Sequence, residues 1–142
     1  MSLTVRRPHG DELASALALR EAVFCAEQGV APDADRDGLD GEAVHLVAID
    51  RETVVGTCRL LIEPGATARF GRLCVAAPER RRGVAGALLE GAEREARAGG
   101  ARRMVMHAQT GALELYRRAG YTPYGEPFDE EGIEHLGMEK PL

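Results

Sequence analysis

Residues 70 to 95 read FGRLCVAAPERRRGVAGALLEGAERE, and the order of residue types in this stretch decides the fold. An apolar run from Leu73 to Ala77 is stopped by Pro78. Arg80, Arg81 and Arg82 follow, then Gly83 and Gly86, and then Ala87, Leu88 and Leu89 at helical spacing. This is a strand, a basic glycine-containing turn and a helix. The glycines let backbone approach a ligand closely. The first amides of a helix lack internal partners, so they can point at an anion that the helix dipole also favours. The turn reads as a phosphate cradle.

Spacing separates three kinds of cradle. A Walker loop needs Lys and then Ser or Thr after its second glycine, but Ala87 and Leu88 follow Gly86. A dinucleotide fingerprint needs G-x-G-x-x-G after the first strand of a fold and an acid closing the next strand. Here the turn lies mid-chain, and the next apolar segment, Met104 to Met106, ends in His107, Ala108 and Gln109. The pattern left is R-x-x-G-x-A at Arg80, Gly83 and Ala85. It resembles the pyrophosphate-binding motif of the GNAT superfamily of coenzyme A-dependent N-acyltransferases.

The segment QTGALELYRRAGY, from Gln109, resembles the second signature of that superfamily: a helical Tyr followed closely by Gly and an aromatic, here Tyr116, Gly120 and Tyr121. Gln109 departs from the Asn usual seven residues before the Tyr. LREAVFCAEQ, DRDGLD and FDEEGIEH make the whole chain similar to the ElaA-like branch. The resemblance implies that backbone amides of Arg81, Arg82, Gly83, Val84, Ala85 and Gly86 hold the pyrophosphate of acetyl-CoA. Arg80 and its neighbours would add side-chain charge, with Gln109 nearby. Leu73, Cys74 and Val75 would pair with the pantetheine arm like an added strand, one of their amides polarising the thioester carbonyl. Tyr116 corresponds to the general acid that protonates the leaving thiolate.

Length and composition bound the remaining options. At 142 residues, 44% of them hydrophobic, the chain suits one domain, residues 1–142, with one core. A formal net charge of -5 argues against a nucleic-acid partner, since a basic face would be expected for one. Cys25, Cys58 and Cys74 are odd in number and lack C-x-x-C spacing, which suggests reduced thiols in the cytoplasm and no zinc site. The N-terminus has no apolar signal core and no run approaches a membrane span, so no membrane partner is expected. A homodimer is compatible with the resemblance.

Along the chain, Leu3 to Arg6 reads as a short strand, and a helix capped by Asp11 runs to about Gln28. Arg20 interrupts the apolar face of that helix, either as a surface residue covering apolar area or as partner to an acid near the site. Residues 29 to 42 are acidic, with Asp33, Asp35, Asp37 and Asp40. They read as a solvated loop or, if the resemblance places them at the acceptor mouth, as a rim that attracts a cationic amine. Calcium is excluded because Val44 stands where an EF-hand ligand would be needed. Val44 to Ile49, Thr53 to Ile62 and Ala68 to Val75 form an antiparallel meander in which Arg59 and Arg72 read as outward-facing or, if with Arg20 they line the pocket, as contacts for an acceptor that carries a carboxylate beside its amine. A helix over Val84 to Ala98, a strand over Arg103 to His107, a helix after Thr110, a strand starting at Tyr121 to Tyr124 and a last strand from His135 to Lys140 follow. The fold expected is α+β, a mixed, strongly twisted sheet with helices on both faces.

Acyl transfer to an amine also needs a base. The strand before the cradle offers Arg69 and Arg72 and no carboxylate, leaving Glu27, His45, Glu130 and His135, of which Glu27 beside the acceptor rim is the choice. Cys74 has no neighbouring His to activate it and reads as a buried thiol rather than a nucleophile. The expected activity is acetyl-CoA-dependent N-acetylation of a small primary amine. A non-catalytic acyl-CoA-binding module and a protein Lys or N-terminal acetyltransferase are the rivals.

Overall fold

The computed structural model describes residues 2 to 142. The chain runs β1 (Leu3–Arg6), α1 (Glu12–Arg20), a wide π-helical segment (Glu21–Glu27), the single turn α2 (Pro32–Asp35), β2 (Val44–Asp50), β3 (Thr53–Glu63), β4 (Thr67–Val75), α3 (Val84–Ala98), β5 (Arg103–Gln109), α4 (Leu113–Arg118), β6 (Thr122–Glu130) and β7 (Ile133–Pro141). The strands form one sheet in the order β1-β2-β3-β4-β5-β7-β6. Every neighbouring pair is antiparallel except β4 with β5, which α3 joins as a crossover. The expected meander from β2 to β4 is present at nearly the expected bounds. The region after Tyr121 is longer than expected: β6 and β7 form a hairpin turning at Glu131 and Gly132, both with positive φ.

Alternation along β2 sets the two faces. Leu46 and Ala48 pack with Leu88, Leu89 and Ala92 of α3, whereas Val47 and Ile49 pack with Ala16 of α1. Helices therefore cover both faces. The α3 face carries the larger core, with Phe70, Met104, Met106, Tyr116 and Met138. Gly56 of β3 lets α3 lie close, since a Cβ there would stand 2.9 Å from Val84 Cγ1 and 3.0 Å from Leu88 Cδ1. That seating fixes the N-terminus of α3 against the end of β4.

Two departures from the sequence expectation shape the site. The first helix does not continue as α-helix to Gln28 but widens into the π segment at Glu21, a feature that often marks functional regions. Asp11 makes no side-chain cap. The Glu12 carboxylate instead accepts the His9 amide at 2.7 Å and Arg6 Nη2 at 2.9 Å. The second departure is in the sheet. β4 and β5 pair only from Thr67↔Arg103 to Phe70↔Met106, although both strands run on, to Val75 and Gln109. Beyond Phe70 β4 has no strand partner on its β5 side, and the sheet splays open there. A bulge lies at this point, with Arg72 at φ +55°. No helix among the described residues is long and apolar enough to cross a membrane.

Candidate active site

The cradle lies where β4 meets α3. Gly83, with φ +83°, precedes the first residue of α3, and Arg81 also has positive φ at +65°. The first backbone hydrogen bond into this end of the helix runs from Ala87 N–H to the Gly83 carbonyl at 3.1 Å. The amides of residues 81 to 86 therefore have no hydrogen-bond partner among the described residues. A Cβ built at Gly83 or Gly86 meets nothing within 4 Å. A row of free N–H groups, open space above it and a helix N-terminus together fit a pyrophosphate. Arg80, Arg81 and Arg82 are exposed beside it, but two of them are already paired. Arg80 forks onto Glu27 at 2.8 and 2.9 Å and donates Nε to the Val75 carbonyl, while Arg82 reaches Glu79 at 2.8 Å.

Beside the splay between β4 and β5 lies a cavity of about 500 Å³. Leu73, Gly71 and Phe70 of β4, Gln109 of β5 and Tyr116 of α4 line it at this end. Gln109 donates to Gln28 Oε1 at 3.0 Å, tying β5 to the end of the π segment. The Tyr116 ring packs edge-on against Phe70 and Tyr121, with centroids 6.3 and 6.1 Å away. Its hydroxyl has no hydrogen-bond partner among the described residues, and burial pushes its pKa up, so the proton stays on the oxygen at neutral pH. Cys74 is buried beside Val23 and Phe24, and burial pushes its thiol up to about 12, which keeps it protonated and inert. All three cysteines are free thiols.

The acidic segment is not an open rim. Arg20, 1% exposed, donates Nε to Asp35 at 3.2 Å and Nη1 to Asp40 at 2.8 Å. Of its two readings, partner to acids near the site is the one realised. Arg59 is 5% exposed, not outward-facing, and forks onto Asp37 at 2.8 and 2.8 Å. Arg72 faces the segment too, donating to the Ala34 and Asp35 carbonyls and to Asp37. Three arginines from α1, β3 and β4 thus neutralise Asp35, Asp37 and Asp40, which leaves Asp33 as the one unpaired aspartate of the expected rim.

Glu27, the base expected from the sequence, is paired with Arg80. Both its oxygens are held by Arg80, this pairing lowers its pKa, and it does not line the cavity. The cavity instead carries a group drawn from β5, β6 and β7. His107 Nδ1 lies 2.9 Å from Glu130 Oε1, and His135 Nε2 lies 3.7 Å from Glu130 Oε2. Phe128 stacks on the His135 ring at 6.0 Å. His135 Nδ1 is 2.7 Å from the Ile133 carbonyl, which can only accept, so Nδ1 carries a hydrogen and Nε2 is the nitrogen turned toward Glu130. His45, by contrast, is buried with Nε2 at 2.9 Å from the Asp40 carbonyl and serves the loop. Among the described residues no group of three His, Cys, Asp or Glu is placed to hold a metal ion. Sequence reasoning had Glu130 and His135 in view, but His107 joins them only through strand register.

Comparison with known proteins agrees with this geometry. The acetyltransferase (GNAT) domain family matches residues 10–142. The uncharacterised N-acetyltransferase YjcF of Bacillus subtilis is 36% identical over 131 residues, covering 92% of this chain and 93% of that protein. A Lactobacillus plantarum crystal structure superposes with a TM-score of 0.91 at 29% identity, covering 100% of this chain and 99% of its own. Escherichia coli ElaA shares the fold at a TM-score of 0.82 and 24% identity, covering 98% of both chains. With a cradle of free amides, a splayed sheet and a family match over nearly its whole length, this chain belongs to the GNAT acetyltransferase family.

Proposed function

We propose that the protein transfers the acetyl group of acetyl-CoA to the primary amine of a small molecule, by direct attack while both substrates are bound. The observations that carry this reading are the free amides at residues 81 to 86 at the end of β4 and, beside Leu73 of the same strand, a cavity lined by Tyr116, whose hydroxyl has no partner among the described residues. The amides hold the pyrophosphate, and the unpaired edge of β4 from Leu73 to Val75 takes the pantetheine arm and polarises the carbonyl. His135 Nε2 accepts the proton of the incoming ammonium, and Glu130 stabilises the imidazolium that results. As the new C–N bond forms and the C–S bond breaks, Tyr116 gives its proton to the departing sulfur. The inert Cys74 favours this one-step route over an acyl-enzyme. A cavity of about 500 Å³ suits a small acceptor better than a protein surface.

The test is thiol release from acetyl-CoA with a panel of primary amines, with both substrates varied. Intersecting initial-rate patterns are expected. Parallel patterns would indicate a covalent acyl-enzyme, and coenzyme A binding without thiol release would make the chain a binding module.

A further inference from the structure

Building on the acyl-transfer reading, we infer that the acceptor carries a carboxylate as well as its amine, and that Arg69 and Arg72 hold that carboxylate. Three arginines line the cavity, Arg59, Arg69 and Arg72. Arg59 has both Nη atoms on Asp37 or Asp40 at 2.8 to 3.2 Å. Arg69 differs. Glu63 occupies its Nε at 2.7 Å and its Nη2 at 3.5 Å, the Tyr124 hydroxyl lies beside the guanidinium, and the remaining Nη1 is buried with no hydrogen-bond partner of its own. It is the one such buried side-chain nitrogen or oxygen among the described residues. Arg72 uses Nε and Nη2 on Ala34, Asp35 and Asp37, and its Nη1 likewise has no partner among the described residues.

A guanidinium cannot shed its proton to escape this situation, so an unpaired buried N–H is a standing cost until an acceptor reaches it. Arg59, Arg69 and Arg72 share this wall with Asp35 and Asp37. Burial, and then the neighbouring Arg59, hold Arg72 below its ordinary pKa despite the nearby aspartates. The facing wall, from β5 and the β6–β7 hairpin, bears Glu130, Glu131, His107 and His135. The cavity therefore sets guanidinium N–H groups without partners on β4, beside the already paired Asp35 and Asp37, against carboxylates on the hairpin. An acceptor with an ammonium and a carboxylate satisfies both walls. A diamine would set its second ammonium against the arginines. The cationic acceptor expected from the acidic segment is displaced because Asp35, Asp37 and Asp40 are already neutralised.

Two matched pairs of reaction products test this on the coenzyme A-loaded protein by calorimetry: N-acetylphenylalanine against N-acetylphenethylamine, and 5-acetamidopentanoate against N-pentylacetamide. Charge-assisted hydrogen bonds should make the acid bind on the order of tenfold tighter, or more, in at least one pair. Arg69→Gln should remove that advantage and Arg69→Lys should restore part of it, with coenzyme A affinity confirming that each variant is folded. Equal binding within both pairs, or binding of neither acid, overturns the inference. In thiol-release assays with the parent amines, preference for the amine lacking a carboxylate also overturns it while leaving acyl transfer standing. If no amine is acetylated, the acyl-transfer reading falls and the calorimetry still decides whether the cavity takes a carboxylate.

Discussion

Tyr116 and Tyr121 lie in edge contact, yet their hydroxyls have different fates. The Tyr121 hydroxyl donates to Glu93 Oε2 at 2.8 Å, and Lys140 completes that buried cluster by donating to the same carboxylate at 3.1 Å. The Tyr116 hydroxyl faces no such partner and lines the cavity. Tyr116→Phe removes one oxygen and keeps the packing on Phe70 and Tyr121, so it isolates the proton from the ring. Turnover should fall by ~10²-fold or more while acetyl-CoA affinity stays the same, as steady-state kinetics and calorimetry would measure. Wild-type turnover in this variant would assign Tyr116 to packing alone. Tyr116 could be picked out from its motif because the motif fixes a helix face. The engagement of Glu27 could not, because Arg80 lies 53 residues away and meets it only through the docking of the π segment beside the cradle.

Among the elements, α3 carries the cradle, and its two ends allow a controlled comparison. Gly83 and Gly100 flank the helix with φ of +83° and +87°, and a Cβ at either meets nothing within 4 Å. Gly83→Val and Gly100→Val should therefore suffer similar backbone strain, about 1–2 kcal/mol, and similar losses of Tm. Only Gly83→Val should lose coenzyme A binding, because only there do the free amides lie beside the added side chain. Equal affinities in the two variants, measured by calorimetry, would remove the cradle from the proposed function. The helix itself is legible in the sequence, since Val84, Leu88, Leu89, Ala92 and Ala96 repeat along one face and all are buried. The splay of β4 from β5 is not. Both strands run on past Phe70 and Met106, and pairing ends at the bulge by Arg72, which no local pattern announces.

Across the whole molecule, the ion pairs of Arg20, Arg59 and Arg72 bind residues 32 to 42 onto the sheet, and this makes stability depend on acid. The hydrogen bonds from Arg59 hold the Asp37 carboxyl well below its ordinary range. Burial pushes Asp40 up, but Arg20 and Arg59 outweigh it and leave its pKa lowered. A depressed folded pKa means that the unfolded chain takes up protons first. The stabilisation is thus complete above the unfolded carboxyl value of ~4 and is lost as pH falls below it. Thermal melts should give a steady Tm from neutral pH down to about 5 and a steep fall below about 4. Asp37→Asn should lower Tm at neutral pH and flatten that fall, and an unchanged acid limb would show that the cluster contributes little. The sequence by itself determined the strand, turn and helix at residues 70 to 95, the meander before them and the GNAT resemblance. Those depend on periodicity, on glycine and proline, and on short spacings, all local properties of the chain. Only the tertiary structure decided that Asp35, Asp37 and Asp40 are neutralised, that Glu27 is locked, and that His107, Glu130 and His135 converge while Arg69 keeps a buried, unpartnered N–H. These depend on strand register and helix docking, which bring together side chains tens of residues apart, and charge in a buried site is set by its neighbours in space rather than in sequence.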